Sequence, residues 1–86
     1  MKYIWESEVL KQTEGGPGVT TMKEVFGKRQ GIKVVTYSSS LIGHVHAKIT
    51  MEDAVARNEV IRGLVNYGYE NTMEGAERTI RKNSPG

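Results

Sequence analysis

The chain lacks cysteine altogether and is poor in aromatic residues, with one tryptophan, one phenylalanine and four tyrosines. Without cysteine it can form neither a disulfide nor a thiolate metal site or nucleophile, which suits a reducing compartment. No segment approaches the ~20 consecutive apolar residues that a membrane helix needs. The residues after Met1 do not form the apolar stretch of a signal peptide. We therefore expect a soluble, cytoplasmic protein that does not bind a membrane.

The short length limits the core that the chain can form. Its 86 residues predict a single domain, 1–86. A chain of this size buries only about 60% of the surface that it exposes when unfolded. Association would bury further apolar surface, and we therefore predict a homo-oligomer.

Charge is nearly balanced, with 12 Lys and Arg against 10 Asp and Glu and a formal net charge of +2. This excess is too small to indicate nucleic-acid binding by itself. The cations are unevenly placed, however, because Lys23, Lys28, Arg29 and Lys33 lie close together in the sequence. Glu24 is the only acid between residues 15 and 51. The location of the charges therefore carries more information than their sum.

The first third of the chain predicts two strands separated by a loop. Polar and apolar residues alternate over 2–11, which favours a strand, with a short helix over 6–12 as the alternative. The glycines and proline of 13–18 predict a loop. The β-branched and aromatic residues of 20–26 predict a second strand, and the glycine-bounded segment 27–31 predicts a hairpin connection with a basic tip.

The middle of the chain predicts two further strands, Ile32–Tyr37 and Leu41–Ile49, joined by a turn at the three serines 38–40. In the second of these strands, one set of alternate positions is apolar throughout: Leu41, Gly43, Val45, Ala47 and Ile49. The other set is mostly polar: Ile42, His44, His46 and Lys48. This alternation is typical of a sheet with one face on the core and one face open.

A long helix is predicted to begin at Met51, with Thr50 as its N-cap and Asp53 completing a variant capping box. Gly68 is its predicted end. The helix has a wide apolar arc, and Val60 and Tyr67 lie on a separate flank. Such a helix is expected to pack on two sides, against the sheet and against either the last helix or a second subunit.

A short final helix is predicted to follow, capped by Asn71. The spacings Glu74–Arg78 and Glu77–Arg81 predict ion pairs one turn apart along this helix. Together the elements predict an α+β fold. It would have an antiparallel sheet of three to four strands, followed by two C-terminal helices packed on one face.

The two histidines of the last predicted strand invite a metal or catalytic hypothesis, because neutral imidazole binds metals and histidine titrates near neutral pH. Glu6, Glu8 or Glu24 from a neighbouring strand could supply a third ligand, but nothing in the sequence selects one. The nearby serines do not make a catalytic triad, which is recognised by geometry. We therefore predict no metal, no cofactor and no catalytic residue.

An anion-binding surface is the stronger hypothesis. Lys33 and Tyr37 share one face of their strand, and His44, His46 and Lys48 share one face of the next. If the two faces coincide, cations and an aromatic ring lie together, as on sheets that bind nucleotides and single strands. The alternative is a solvated face whose lysines keep the protein soluble.

Three further cations are candidate ligand contacts. Lys28 and Arg29 form the basic tip and could touch phosphates, although a charged tip is often only solvated. Arg57 lies at the edge of the apolar arc and could reach a ligand at a subunit interface, whereas pairing with Asp53 one turn earlier is the simpler interpretation.

These observations predict a small, non-enzymatic protein that binds nucleic acid or a nucleotide on its open sheet face. The alternative is an oligomeric inhibitor or accessory factor that binds another protein, of the kind found in phages and mobile elements. A histidine-dependent or metal-dependent hydrolase ranks last.

Overall fold

A computed structural model of the protein describes residues 2–11, 18–38 and 43–83. Three of our predictions lie outside the described residues. They are the loop over 13–17, the serine turn at 39–40 and the start of the next strand at 41–42.

The described residues form an antiparallel sheet and three helices, which confirms the predicted α+β fold with an antiparallel sheet. The strands are β1 (Lys2–Leu10), β2 (Ile32–Ser38), β3 (His44–Met51) and β4 (Arg81–Asn83). The helices are α1 (Val19–Phe26), α2 (Ala54–Asn66) and α3 (Met73–Thr79). The order of strands in the sheet is β2-β3-β1-β4, and every pairing is antiparallel. None of the described helices is long and apolar enough to cross a membrane.

Strand β3 lies between β2 and β1 and fixes which side chains share a face. Ile49 is opposite Trp5 of β1 and Val34 of β2. Directly opposite residues point to the same face of a sheet, so these three side chains belong to one face. That face packs against the helices in a single core cluster: Trp5, Val9, Met22, Phe26, Ile32, Ala47, Ile49, Met51, Ala56, Val60, Ile61, Leu64, Ala76 and Ile80.

The segment predicted as a second strand is helix α1, so that prediction was wrong. Met22 and Phe26 are its buried residues, and their spacing of four places both side chains on one face of the helix. The β-branched residues Thr20, Thr21 and Val25 favoured a strand by composition, but tertiary packing decided the outcome. The segment 27–31 therefore joins a helix to a strand and is not a hairpin.

Helix α2 begins later than predicted, because Thr50 and Met51 continue strand β3. Thr50 is opposite Lys33, and Met51 is fully buried in the core. Asp53 is the N-cap, and its carboxylate accepts a hydrogen bond from the backbone N–H of Ala56 at 2.9 Å. Burial of Met51 on the sheet therefore outweighs a helical start at this residue.

The predicted end of the long helix is close to the observed one. Gly68 has a left-handed φ of 86°, a conformation in which glycine carries no steric penalty. The backbone N–H of Tyr69 donates to the carbonyl of Leu64 at 2.8 Å, and that of Gly68 donates to Val65 at 3.2 Å. These are the two hydrogen bonds of a Schellman motif, which ends helix α2.

The last helix is capped by Thr72, not by Asn71, since the Thr72 hydroxyl accepts from the N–H of Gly75 at 2.9 Å. The Glu74–Arg78 pair is confirmed at 3.9 Å. The Glu77–Arg81 pair is wrong, because Arg81 lies in the unpredicted strand β4.

Helix α2 packs on more than one side within this chain. Val60 has no exposed surface, and it belongs to the same core cluster as the sheet residues. Val60 therefore packs within this chain and is not available to a second subunit. Tyr67, on the same predicted flank, is 48% exposed.

Close contact between α1 and α2 depends on Gly63. A Cβ atom at this position would overlap the ring of Phe26. We predict that Gly63→Ala lowers the free energy of unfolding by about 1–3 kcal/mol through overpacking, although alanine is the better helix former. Denaturant unfolding followed by circular dichroism measures this change.

A matched alanine substitution on the same helix provides the control. Asn58 is exposed, so Asn58→Ala should change the free energy of unfolding by no more than about 0.5 kcal/mol. Combining Gly63→Ala with Phe26→Leu should cost less than the sum of the single changes, because the smaller side chain relieves the overlap. Equal stability of Gly63→Ala and the native protein would contradict the packing described.

Candidate functional site

The candidate site is the face of the sheet that points away from the helices, which we call the open face. It alternates with the core positions along each strand. Its residues are Lys2, Ile4, Glu6, Glu8 and Leu10 of β1, Lys33, Val35 and Tyr37 of β2, His44, His46, Lys48 and Thr50 of β3, and Arg81 of β4.

Register brings the two predicted sets of polar residues onto this one face. Tyr37 lies opposite His46, and the two ring centroids are 6.0 Å apart at an interplanar angle of 38°. Lys48 lies opposite Val35, and Lys33 lies opposite Thr50. Lys48 is therefore a diagonal neighbour of both Tyr37 and Lys33, within reach of long side chains. His44 continues the same row at the start of β3.

His46 is held by two carboxylates from β1. Its Nε2 lies 2.7 Å from Oε2 of Glu6, and its Nδ1 lies 3.4 Å from Oε1 of Glu8. The hydrogen bond to Glu6 is the main cause that raises the pKa of His46 above its ordinary value. Both ring nitrogens donate in the protonated form, so this arrangement favours the imidazolium.

Glu6 is the centre of this cluster. Its other oxygen accepts from the guanidinium of Arg81 on β4. The hydrogen bond to His46, followed by that to Arg81, holds the pKa of Glu6 below its ordinary value. Glu6 also lies opposite Lys48 in the ladder, but its carboxylate is within ion-pair distance of His46 and Arg81 instead.

The open face therefore has two electrostatic halves. On the β1 side, Glu6 and Glu8 balance the charges of His46 and Arg81. On the β2–β3 side, neither Lys33 nor Lys48 makes an ion pair within the described part of the chain. The available positive charge is thus concentrated beside the Tyr37 ring, which is half exposed.

Three predicted contacts are not on the open face. Lys28 and Arg29 lie in the connection between α1 and β2, where Arg29 pairs with Glu59 of α2 at 2.9 Å. Arg57 pairs with Glu77 of α3 at 3.3 Å, and its guanidinium lies 5.4 Å from the centroid of the Tyr3 ring, on the helix side of the sheet.

The predicted pairing of Arg57 with Asp53 was wrong, because the Asp53 carboxylate caps the helix. The rest of the predicted set, Lys33, Tyr37, His44, His46 and Lys48, is brought together.

Arg81 is the member of the cluster that the sequence did not reveal. We placed it in the last helix, and a three-residue strand leaves too short a pattern to detect. Glu6 and Glu8 were considered only as possible metal ligands from a neighbouring strand. Their contact with His46 depends on β1 being the neighbour of β3, which alternation alone does not determine.

Other concave regions lie among the helices. A groove of about 250 Å³ between α1 and α2 is lined by residues that include Phe26, Arg29, Arg62 and Tyr67. One of its cations, Arg29, is already paired with Glu59. Among the described residues, no group of three or more histidines and carboxylates is placed to hold a metal ion.

The cluster makes stability depend on pH in a defined window. His46 contributes stability that is fully present below its unfolded pKa of 6.5 and is lost as the pH rises through its raised folded pKa. Glu6 contributes stability that is present above its unfolded pKa of 4.5 and is lost as the pH falls through its lowered folded pKa. Both contributions are complete between pH 4.5 and 6.5.

We predict that Glu6→Gln lowers the pKa of His46, because a neutral amide no longer stabilises the imidazolium. An NMR titration of the His46 ring protons measures this directly. Glu24→Gln, a change at an exposed position of helix α1, should leave the pKa of His46 where it is in the native protein. An unchanged pKa in Glu6→Gln would show that the two side chains do not interact in solution.

Comparison with known proteins assigns no family to the chain. The chain matches no family model, and the searches of curated proteins and of solved structures found no match either. The geometry of the open face is therefore the basis on which a function is argued.

Proposed function

We propose that this protein is a non-enzymatic binding protein that holds a nucleotide or single-stranded nucleic acid on the β2–β3 half of the open face. The observation that supports this proposal best is the register of β2 with β3. It places Tyr37, Lys48 and Lys33 as neighbours on a face without helices.

The chemistry of these side chains suits an anion that carries an aromatic base. Stacking of a base on an aromatic side chain is worth about 1–3 kcal/mol and does not require a particular base. Lys48 and Lys33 follow Tyr37 in the same direction along the two strands, so they would neutralise phosphates on that side of the stacked base. Lys33 and Tyr37 are separated by about 13 Å along the strand, estimated from the usual rise per residue. A short segment of a strand, or one nucleotide, fits this distance.

The carboxylates of β1 would limit where the ligand lies. Glu6 and Glu8 repel phosphate, so a ligand is favoured along β2 and β3 and disfavoured across β1. His46 is held by these carboxylates and would border the base at Tyr37 instead of carrying a phosphate. His44, farther along the β3 row, is the imidazole that remains available for the ligand. Such ligands are plentiful in the cytoplasm, where we place the protein.

A second candidate function is binding of another protein as an inhibitor or accessory factor. Val55 on α2 is 72% exposed, and it borders a groove that also contains Glu52, Asp53 and Glu59. An apolar side chain surrounded by acids fits a basic protein surface. Val55→Lys would weaken such a complex, because it removes the apolar contact and its charge repels a basic surface. It should not affect nucleotide binding on the open face, so the two functions can be separated.

We predict that Lys33→Ala combined with Lys48→Ala weakens binding of a fluorescein-labelled oligothymidine, measured by anisotropy. Removing the two contacts should make the slope of log affinity against log salt shallower by about 1.4, at roughly 0.7 per single-strand phosphate. Lys23→Ala combined with Lys82→Ala has the same net charge and changes exposed lysines off the open face. This control should bind as the native protein does.

The aromatic contact is tested separately at Tyr37. Tyr37→Ala should weaken binding about 5- to 150-fold, because it removes the ring on which one base stacks. Tyr37→Phe keeps the ring and should retain most of the affinity. The proposal fails if the native protein binds neither the oligonucleotide nor ATP. It also fails if the control pair of lysines matters as much as Lys33 and Lys48.

A further inference from the structure

Strand β2 is the outermost strand of the sheet on its side. It is seven residues long, Ile32–Ser38, and β3 is its partner. Its sequence is rich in the β-branched residues that favour strands. The outer edge of β2 therefore presents backbone donors and acceptors where another strand could pair.

The hydrogen bonds next to β2 show which of its backbone groups face outward. The N–H of Glu52 donates to the carbonyl of Gly31 at 2.9 Å, so this pair is hydrogen-bonded. Hydrogen-bonded pairs alternate along an antiparallel ladder, which makes Lys33, Val35 and Tyr37 the residues bonded to β3. The N–H and C=O groups of Val34 and Thr36 consequently point away from the sheet.

This edge has few of the features that keep sheet edges apart. Within the described part of the chain, no backbone or side-chain group bonds to the outward groups of Val34 and Thr36. The strand contains no proline, and its register with β3 is continuous, so no bulge bends it away. Lys33 is its one charged residue. Edges of this kind pair readily with a second strand.

We propose that two copies of this chain form a dimer through antiparallel pairing of their β2 strands, about a two-fold axis at Val35. In this register Val34 of one copy lies opposite Thr36 of the other, and each such pair exchanges both backbone hydrogen bonds. Lys33 of one copy lies opposite Tyr37 of the other, so the lysine meets an aromatic ring and not a second lysine.

A second copy fits this edge because the strand is complementary to itself. The strand runs from 32 to 38, so an axis at residue 35 pairs its full length. A two-fold axis perpendicular to the sheet leaves both open faces on the same side. The dimer then has one continuous sheet in which the lysines and tyrosines of both β2 strands adjoin. The inference does not depend on what the open face binds.

Single cysteines test the register, and the native chain has no cysteine to interfere. At the axis, Val35 of each copy forms a non-hydrogen-bonded pair with Cα atoms about 4.5 Å apart, close enough for a disulfide. Val35→Cys should become a covalent dimer under mild oxidation. Lys33→Cys should remain monomeric, because its two copies lie about 13 Å apart along the strands.

Lys33→Cys is a demanding control for Val35→Cys, because Lys33 is exposed and Val35 is half-buried. Random collisions would therefore cross-link Lys33→Cys faster. Cross-linking of Lys33→Cys at an equal or higher rate would overturn the proposal. So would a native protein that sediments at its monomer mass of 9.6 kDa throughout the micromolar range.

Proline substitutions at the two sheet edges test the hydrogen bonds themselves. The N–H of Lys11 donates to Gly43 at 2.8 Å, so Lys11 and every second residue before it in β1, down to Tyr3, bond to β3. The residues between them bond to β4 instead. Lys82 of β4 lies opposite Tyr3, so its N–H and C=O point away from the sheet, like those of Thr36 in β2. Proline removes an N–H without breaking an inner hydrogen bond at either position. Thr36→Pro should convert dimer to monomer, and Lys82→Pro should leave the dimer unchanged.

Hydrogen exchange in the native protein gives a result even if Thr36→Pro does not fold. The amides of Val34 and Thr36 should exchange slowly when the protein is concentrated and rapidly when it is dilute. Rapid exchange of both amides at every concentration would overturn the proposal. The same result would leave the ligand proposal intact, because ligand binding was assigned to side chains on the open face.

Discussion

The register of strand β3 between β2 and β1 is the constraint on which the rest of the structure depends. Ala47, Ile49 and Met51 are fully buried against the helices. His46 and Lys48, at alternate positions, lie on the open face. A shift by one residue would exchange the two sets and place imidazole and ammonium groups in the core. The cost of burying them holds the register, and with it the composition of the open face.

That register also determines the electrostatics of the open face. β1 brings Glu6 and Glu8 to His46, and β4 brings Arg81 to Glu6. Positive charge is thereby balanced on the β1 side and left available beside Tyr37. The sequence alone suggests that this face is cationic throughout. In the structure the face is divided, and the acids of β1 confine an anionic ligand to β2 and β3.

The sequence predicted those elements whose pattern is long and regular. The patterns of 2–11, 32–37 and 41–49 identified three strands, and alternation over 41–49 placed His44, His46 and Lys48 on the face opposite Ala47 and Ile49. It failed where local preference and packing disagree. The β-branched residues of 20–26 favour a strand, but this segment forms a helix that buries Met22 and Phe26. Thr50 is a residue type that favours a helix N-cap, but burial of Met51 as a continuation of strand β3 stabilises the structure more than an earlier helix start would.

The candidate site was only partly predictable for a related reason. Alternation shows which residues of one strand share a face, and it does not show which strands are neighbours. The contact of His46 with Glu6 therefore required the strand order. The contact of Glu6 with Arg81 required a three-residue strand that has no pattern of its own. Arg29 and Arg57 were candidate ligand contacts until their partners, Glu59 and Glu77, were located on the helices.

The central claim is that a ligand binds on the β2–β3 half of the open face. A titration of ¹⁵N-labelled protein with a short oligothymidine, followed by amide chemical shifts, tests it most directly. The account predicts that the largest shift changes occur in β2 and β3, around Tyr37 and Lys48, and that those of α2 and α3 remain small. Shift changes centred on the helices, or none at any oligonucleotide concentration, would contradict it.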